Sequence, residues 1–237
     1  MTGDVAIVIP ARGGSKRVPR KNIRLLAGRP LLQYAVDTAA AAGLLDSVYV
    51  STEDPEIAAV GAGGGARVVP RPEELCGDSV STEAVLLHIL DFVGKSGPIP
   101  TWLVTLPPTS PFRRAETLAF FVAAARSGQA DAWLSLTESR GDYWRLDDAG
   151  RLSRLFPNAS RRQQDRDPLY EENSAIYITR VDALRETDSV LGRECRGIVI
   201  DPLEGFDINT EADLAVAEAL MSSGHKPSRS PVCLGQP

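Results

Sequence analysis

Cysteine is scarce in this chain of 237 residues: Cys76, Cys195 and Cys233 are odd in number, far apart and without zinc-ligand spacing. That argues against a disulfide framework or a structural zinc site and suits a reducing compartment. Histidine is scarcer still. His88 falls within a helical pattern and His225 in a polar stretch, so neither is given a catalytic role. No apolar run approaches membrane-spanning length, and no charged segment leads into a secretory-type apolar core, which predicts a cytoplasmic protein with no membrane partner. An excess of positive charge is also missing. A formal net charge of -5 argues against nucleic acid as the partner, so any basic cluster is a local site for a small anion. The G-x-x-x-x-G-K-[ST] pattern of P-loop enzymes is absent. Residues 61–66 do match G-x-G-x-x-[GA], but they follow a helical pattern and precede a strand, the reverse of the dinucleotide-binding context. They read as a helix stop and loop.

What the chain does contain is IPARGGSKRVPRKN at residues 9–22, a glycine-rich turn with Arg12, Lys16, Arg17, Arg20 and Lys21 directly after an apolar strand. Residues 5–9 form a β-branched run suited to a buried parallel strand that ends at Pro10. Gly13 and Gly14 are expected to take positive φ and to turn successive amide N–H groups toward phosphate oxygens. Guanidinium groups fork onto phosphate, whereas a lysine is a compact point charge able to follow a leaving group. The segment is built to hold polyphosphate.

Strands and helices alternate along the rest of the chain, predicting an α/β fold: a mostly parallel, Rossmann-like sheet with helices on both faces. Helices are expected over 30–43, from Asp54 as cap, and over 82–93, 114–126, 181–191 and 210–221. Strands are expected over 47–51, 66–69, 101–106, 131–136, 175–179 and 197–200. One domain over 1–222 accommodates these elements. The interval 137–172 breaks the rhythm. It is charged, turn-rich and too long for an ordinary loop, and its apolar points (Tyr143, Trp144, Leu152, Leu155, Phe156) suit an arm that packs outside its own core. Residues 223–237 read as a polar, flexible tail.

A second constellation lies at 206–214, FDINTEADL. Asp207 and Asn209, two apart on an extended segment, point the same way and offer oxygen donors suited to Mg²⁺, which keeps most of its waters and bridges substrate phosphates. The alternative for this segment is a helix start, with Thr210 as N-cap and Asp213 closing a capping box. Both roles are compatible.

The 9–22 segment closely resembles the signature of the acylneuraminate cytidylyltransferases, the CMP-sialic acid synthetase family. The resemblance continues in family order through VSTE (50–53), RPEEL (71–75), TSPFR (109–113), RQQ (162–164), ENSAIY (172–177) and DINT (207–210), covering nearly the whole chain to about residue 219. It implies coupling of CTP to a nonulosonic acid, giving a CMP-sugar and pyrophosphate with Mg²⁺. Arg12 and Lys21 would hold the phosphates, with Ala11, Gly13, Gly14, Ser15 and Lys16 completing the loop. Asn22, Arg71 and Thr82 would surround the cytidine. Thr109, Ser110, Asn173 and Tyr177 would face the acceptor, and Asp207, with Asn209, would carry the metal; Arg12, Lys21 and Asp207 are the expected catalytic residues. The 137–172 interval would be the family's dimerisation arm, delivering Arg162 to the neighbouring site of a homodimer.

Three departures accompany the resemblance. Asn209 stands where a second aspartate is frequent, Pro107 where a glutamine is, and Glu171 and Glu172 where sialic acid enzymes can carry arginine. They leave the acceptor open among nonulosonic acids such as legionaminic or pseudaminic acid. The alternatives are a cytidylyltransferase for a 3-deoxy-octulosonate or a phosphonate, and a non-catalytic nucleotide-binding homologue.

Overall fold

The computed structural model describes residues 4–235. Strand β1 (Val5–Pro10) alternates its side chains between two cores: Val5, Ile7 and Ile9 enter one, Ala6 and Val8 the other. After the 11–20 loop and a 3₁₀ turn at Lys21–Ile23, the two-residue strands β2 (Leu25–Leu26) and β3 (Arg29–Pro30) form a small ribbon. The chain then runs through α1 (Leu31–Ala41), β4 (Val48–Thr52), α2 (Pro55–Gly63), β5 (Arg67–Pro70), α3 (Thr82–Gly94), β6 (Trp102–Thr105), α4 (Ala115–Arg126) and β7 (Ala132–Ser139). The hairpin of β8 (Trp144–Leu146) and β9 (Leu152–Arg154) follows, then β10 (Leu169–Arg180), α5 (Val181–Thr187), β11 (Cys195–Val199), α6 (Glu211–Ser222) and β12 (Val232–Cys233).

Eight strands form one sheet in the order β12-β11-β7-β10-β6-β1-β4-β5. β1 pairs in parallel with β4 and β6, β4 with β5, and β7 with β11; β10 is antiparallel to β6 and β7, and β12 to β11. All these strands except β10 and β12 therefore point the same way, as a mostly parallel sheet requires. α1, α2 and α4 cover one face through Leu32, Val36, Ile57, Leu118 and Phe121. α3 and α5 cover the other through Leu86, Ile89, Leu90 and Leu184, each contributing about 1.5–3 kcal/mol by leaving water. α6 closes a third, smaller core of Leu26, Leu31, Phe112, Ile208, Leu214 and Ala217. Asp54 caps α2 by accepting from the amides of Glu56 and Ile57, and Thr210 with Asp213 forms the capping box of α6. All three cysteines are free.

Four expectations need correction. α2 continues through Gly61, whose missing Cβ allows close packing on Val50, and stops only at Gly64 and Gly65. α5 ends at Thr187, because Asp188 takes a left-handed φ of 49°. β7 and β10 are longer than their apolar stretches. They run on as an antiparallel pair from Leu169↔Ser139, so the ends of the 137–172 interval are regular strand. Part of the expected polar tail carries regular structure. Ser228 and Arg229 donate their amides to Asp201 Oδ2, and β12 adds an edge to the sheet beside β11. Residues 236–237 lie outside the described residues.

Candidate active site

The chain passes from β1 outward to β4 and β5 and returns across the sheet to β6, on the other side of β1. Such a reversal opens a crevice at the carboxyl ends of the strands. A cleft of about 650 Å³ lies there, with Pro10 and Thr105 in its wall.

The 11–20 loop forms one side of it. Ala11 is buried and bonds the carbonyl of Ser51, which fixes the loop's start. Arg12, Ser15, Lys16, Arg17, Lys21 and Asn22 line the cleft, and Asn22 Nδ2 donates to the Arg12 carbonyl at 2.8 Å, bracing the loop from within. Gly13 and Gly14 do not take positive φ; Arg20 does, at 55°. A Cβ at 13 would lie 2.8 Å from Asp54 Oδ2, so a larger residue there would displace that carboxylate. The Gly13 amide is engaged by Glu53 Oε1 at 2.7 Å. Arg12 pairs with Asp78 at 2.8 Å, and Lys16 pairs with the same carboxylate, whose pKa the Lys16 ammonium and then Arg12 hold below the usual range. Carboxylates thus occupy donors of the phosphate loop.

Elsewhere in the lining, Arg71 is buried against Ser51, with Nε donating to the hydroxyl at 3.1 Å and Nη2 to the carbonyl at 2.9 Å. Burial lowers its pKa and nearby Glu53 opposes the shift. Thr82 lines the cleft at the first turn of α3, beside the N-cap Ser81.

The far wall comes from the loop after β6 and from β10. Pro107, Pro108 and Thr109 line it together with Ser174 and Tyr177. β10 carries an irregularity between Glu172 and Tyr177, where Ser174 adopts a φ of 58°. Asn173 supports that bulge from behind, through Ser135 Oγ at 2.6 Å and Thr137 Oγ1 at 2.8 Å, and does not line the cleft. Tyr177 Oη donates to Glu172 and contacts Ser174 Oγ at 3.0 Å; burial first, then the Glu172 carboxylate, raises its pKa strongly. Ser110 is buried beneath the wall.

Asp207 and Asn209 face each other, with Asn209 Nδ2 2.5 Å from Asp207 Oδ2. Between them Ile208 is buried in the α6 core, which forces its neighbours outward together. The Ile208 amide bonds the carbonyl of Thr109, and its carbonyl accepts from Lys21 Nζ at 2.9 Å. Desolvation lowers the Lys21 pKa and Asp207 opposes it. Asp207 Oδ1 is buried without a partner. No group of three or more His, Cys, Asp or Glu gathers among the described residues. Any cation here would take a carboxylate and a carboxamide from the protein and its remaining ligands from phosphate and water, which fits Mg²⁺. Arg162 is exposed on the segment between β9 and β10 and does not line the cleft of its own chain.

Sequence reasoning missed Glu53 as the partner of Gly13, and also Asp78 and Ser174. Asp78 sits in no recognisable pattern, and a left-handed serine leaves no trace in the sequence.

A cleft lined by several cations, a buried arginine and a tyrosine suits transfer from a nucleoside triphosphate. A family model described as cytidylyltransferase matches residues 6–186. The chain belongs to the cytidylyltransferase family. It is a nucleotidyltransferase. This cytidylyltransferase is 32% identical to the CMP-N,N'-diacetyllegionaminic acid synthase of Legionella pneumophila over 226 residues, covering 92% of this chain and 96% of that protein. It is 28% identical to the pseudaminic acid cytidylyltransferase of Campylobacter jejuni, covering 92% and 97% of the two chains. Among solved structures, a CMP:2-keto-3-deoxy-manno-octonic acid synthetase complexed with CTP shares the cytidylyltransferase's fold, with a TM-score of 0.67 at 19% identity, covering 93% of this chain and 99% of the other.

Proposed function

We propose that this cytidylyltransferase couples CTP to a nonulosonic acid, releasing pyrophosphate and a CMP-sugar. The observation that carries the reading is one cleft lined by Arg12, Lys16 and Lys21 together with Thr109, Ser174 and Tyr177. The names of the legionaminic and pseudaminic relatives support the acceptor class.

In this reading the base lies against Asn22, Arg71 and Thr82, and the triphosphate against Arg12, Ser15, Lys16 and Lys21. Asp78 releases Arg12 and Lys16 as the phosphates arrive. The exchange is easy, because exposed ion pairs in a high dielectric are weak, whereas forked contacts to phosphate are strong. The acceptor hydroxyl attacks the α-phosphorus in line, forming a new O–P bond and losing its proton to solvent, while the α–β bridge breaks and pyrophosphate leaves with its electron pair. Lys21 sets its charge against the α-phosphate, and Arg12 lowers the repulsion between two anionic reactants. Asp207 and Asn209 would hold Mg²⁺, which supplies charge neutralisation on the phosphates. Ser110 and Asn173 act from behind the wall rather than in it. The exposed Tyr143, Trp144, Leu146, Leu152, Leu155 and Phe156 form an apolar arm suited to a second copy, which would receive Arg162 at its own site in a homodimer. Among the described residues no helix is long and apolar enough to cross a membrane, and a cytoplasmic location suits the free thiols.

The test is pyrophosphate release with Mg²⁺ and each of the four common nucleoside triphosphates, against a panel of nonulosonic acids, octulosonates and phosphonates. Release with CTP and one nonulosonic acid is the expected result and identifies the acceptor. Release only with an octulosonate or a phosphonate would move the acceptor class, and no release with any pair would remove the catalytic reading.

A further inference from the structure

The Tyr177 phenol in the lining of the cleft has one proton and two neighbours, the Glu172 carboxylate and, at 3.0 Å, Ser174 Oγ. An ionised carboxylate has no proton to give, so the close contact with Glu172 holds only with the phenol as donor. That commits the tyrosine's proton. The contact with Ser174 must then run the other way, with the serine hydroxyl donating to Tyr177 Oη. Ser174 lines the cleft as well, and its proton is committed in turn. Both hydroxyl oxygens are left with lone pairs and no proton to offer a ligand.

The path of β10 brings these groups together. On an unbroken strand Glu172 and Tyr177, an odd number of residues apart, would point to opposite faces. Here Glu172 pairs with Leu136 and Tyr177 with Leu134, which share a face of β7, so the bulge between them returns both side chains to one side of the sheet. Asn173 Oδ1 holds the bulge, accepting from Ser135 Oγ at 2.6 Å and from the Ala175 amide at 3.2 Å. Ser174 takes its φ of 58° within it. Glycine would adopt that conformation with less strain, but it lacks the hydroxyl that reaches Tyr177.

We infer that Glu172 is a positioning residue: by holding the Tyr177 proton it leaves Tyr177 Oη and Ser174 Oγ able only to accept, so the sugar acid binds here through a hydroxyl or an acylamino N–H and not through its carboxylate. The inference rests on the proposed nonulosonic acceptor. Anionic groups are served instead by Arg12, Lys16 and Lys21 in the same lining. A bare negative charge at 172 would act in the opposite sense, weakening the binding of any anionic sugar.

The test is steady-state kinetics with CTP and whichever of legionaminic, pseudaminic and acetylneuraminic acid the wild type turns over, on Glu172→Ala, Glu172→Gln and Tyr177→Phe, each with its thermal unfolding. Glu172→Ala frees the phenol proton and is expected to raise KM for the sugar acid about tenfold, the scale of one hydrogen bond, with KM for CTP and the melting temperature near wild type. Glu172→Gln keeps a carbonyl oxygen to take that proton and should stay within about threefold of wild type. Tyr177→Phe should raise the same KM, and adding Glu172→Ala to it should change nothing further. A sugar-acid KM that falls in both Glu172 variants means charge repulsion alone and overturns the inference. So do an unchanged KM in Glu172→Ala, a rise in KM for CTP instead, and a lower melting temperature with both KM values unchanged, which is the mark of a purely structural role. Ultraviolet resonance Raman spectra of the ligand-free protein separate this inference from the acceptor reading. The difference between wild type and Tyr177→Phe should show a phenol donating strongly, a signature that Glu172→Ala loses. Its absence overturns the inference whatever acid is used, whereas its presence without turnover of any of the three acids supports the polarity set by Glu172 and removes the nonulosonic reading.

Discussion

At the level of single residues, the site depends on a few cations whose partners come from distant parts of the chain. The cations were legible because arginine, lysine and glycine crowded into one turn after a buried strand have few other uses. Their acidic partners were not. Glu53 and Asp78 reach the loop from β4 and from the segment before α3, and nothing local marks either as a contact of residue 12, 13 or 16. Gly13 was expected to take a positive φ and does not; what the structure shows there is a close approach to the Asp54 carboxylate. Lys21 gives the clearest prediction at this scale. Its ammonium is partly desolvated and held by the Ile208 carbonyl, which in the proposed role orients it before substrate arrives. Lys21→Ala should lower kcat about 10²–10³-fold, the range seen when one preorganised charge is lost, with an unchanged circular dichroism spectrum. Turnover close to wild type in a steady-state assay would take Lys21 out of the chemistry.

At the level of elements, periodicity read the buried strands and the long helices well and read poorly whatever lacked an apolar signal. β10 extends back to Leu169 through Tyr170, Glu171 and Glu172, which are exposed, so only its buried half looked like strand. β12 follows a stretch of proline, serine and lysine and pairs with β11 over two residues, too short a signal for any pattern. The start of α6 was legible from the T-x-x-D spacing, and it matters beyond the helix itself. Leu214 and Ala217 pack on Ile208, and so the helix anchors the segment that carries Asp207. Thr210→Ala removes the hydroxyl that accepts from the Asp213 amide and should cost about 1 kcal/mol, seen as a lower urea midpoint with unchanged m-value. A midpoint equal to wild type would mean that packing alone starts the helix.

At the level of the whole molecule, the site in one chain is incomplete if Arg162 belongs to it, because that residue sits on the arm. Mixing Arg162→Ala with Lys21→Ala protein under conditions of subunit exchange should restore about a quarter of wild-type activity. Half of randomly formed dimers are hybrids, and each hybrid has one intact site by two-fold symmetry. Activity no higher than the sum of the separate variants would confine each site to its own chain. The sheet's strand order has a further consequence, for how the protein is made. β6 pairs with β1 on one side and with β10 on the other, and the whole of α4, β7 and the arm is translated between β6 and β10. At about 5–20 residues per second, an emerging chain therefore holds a strand whose residues are all buried in the finished fold, with one open flank, for several seconds. That interval is a window in which nascent chains on the same message can pair with one another.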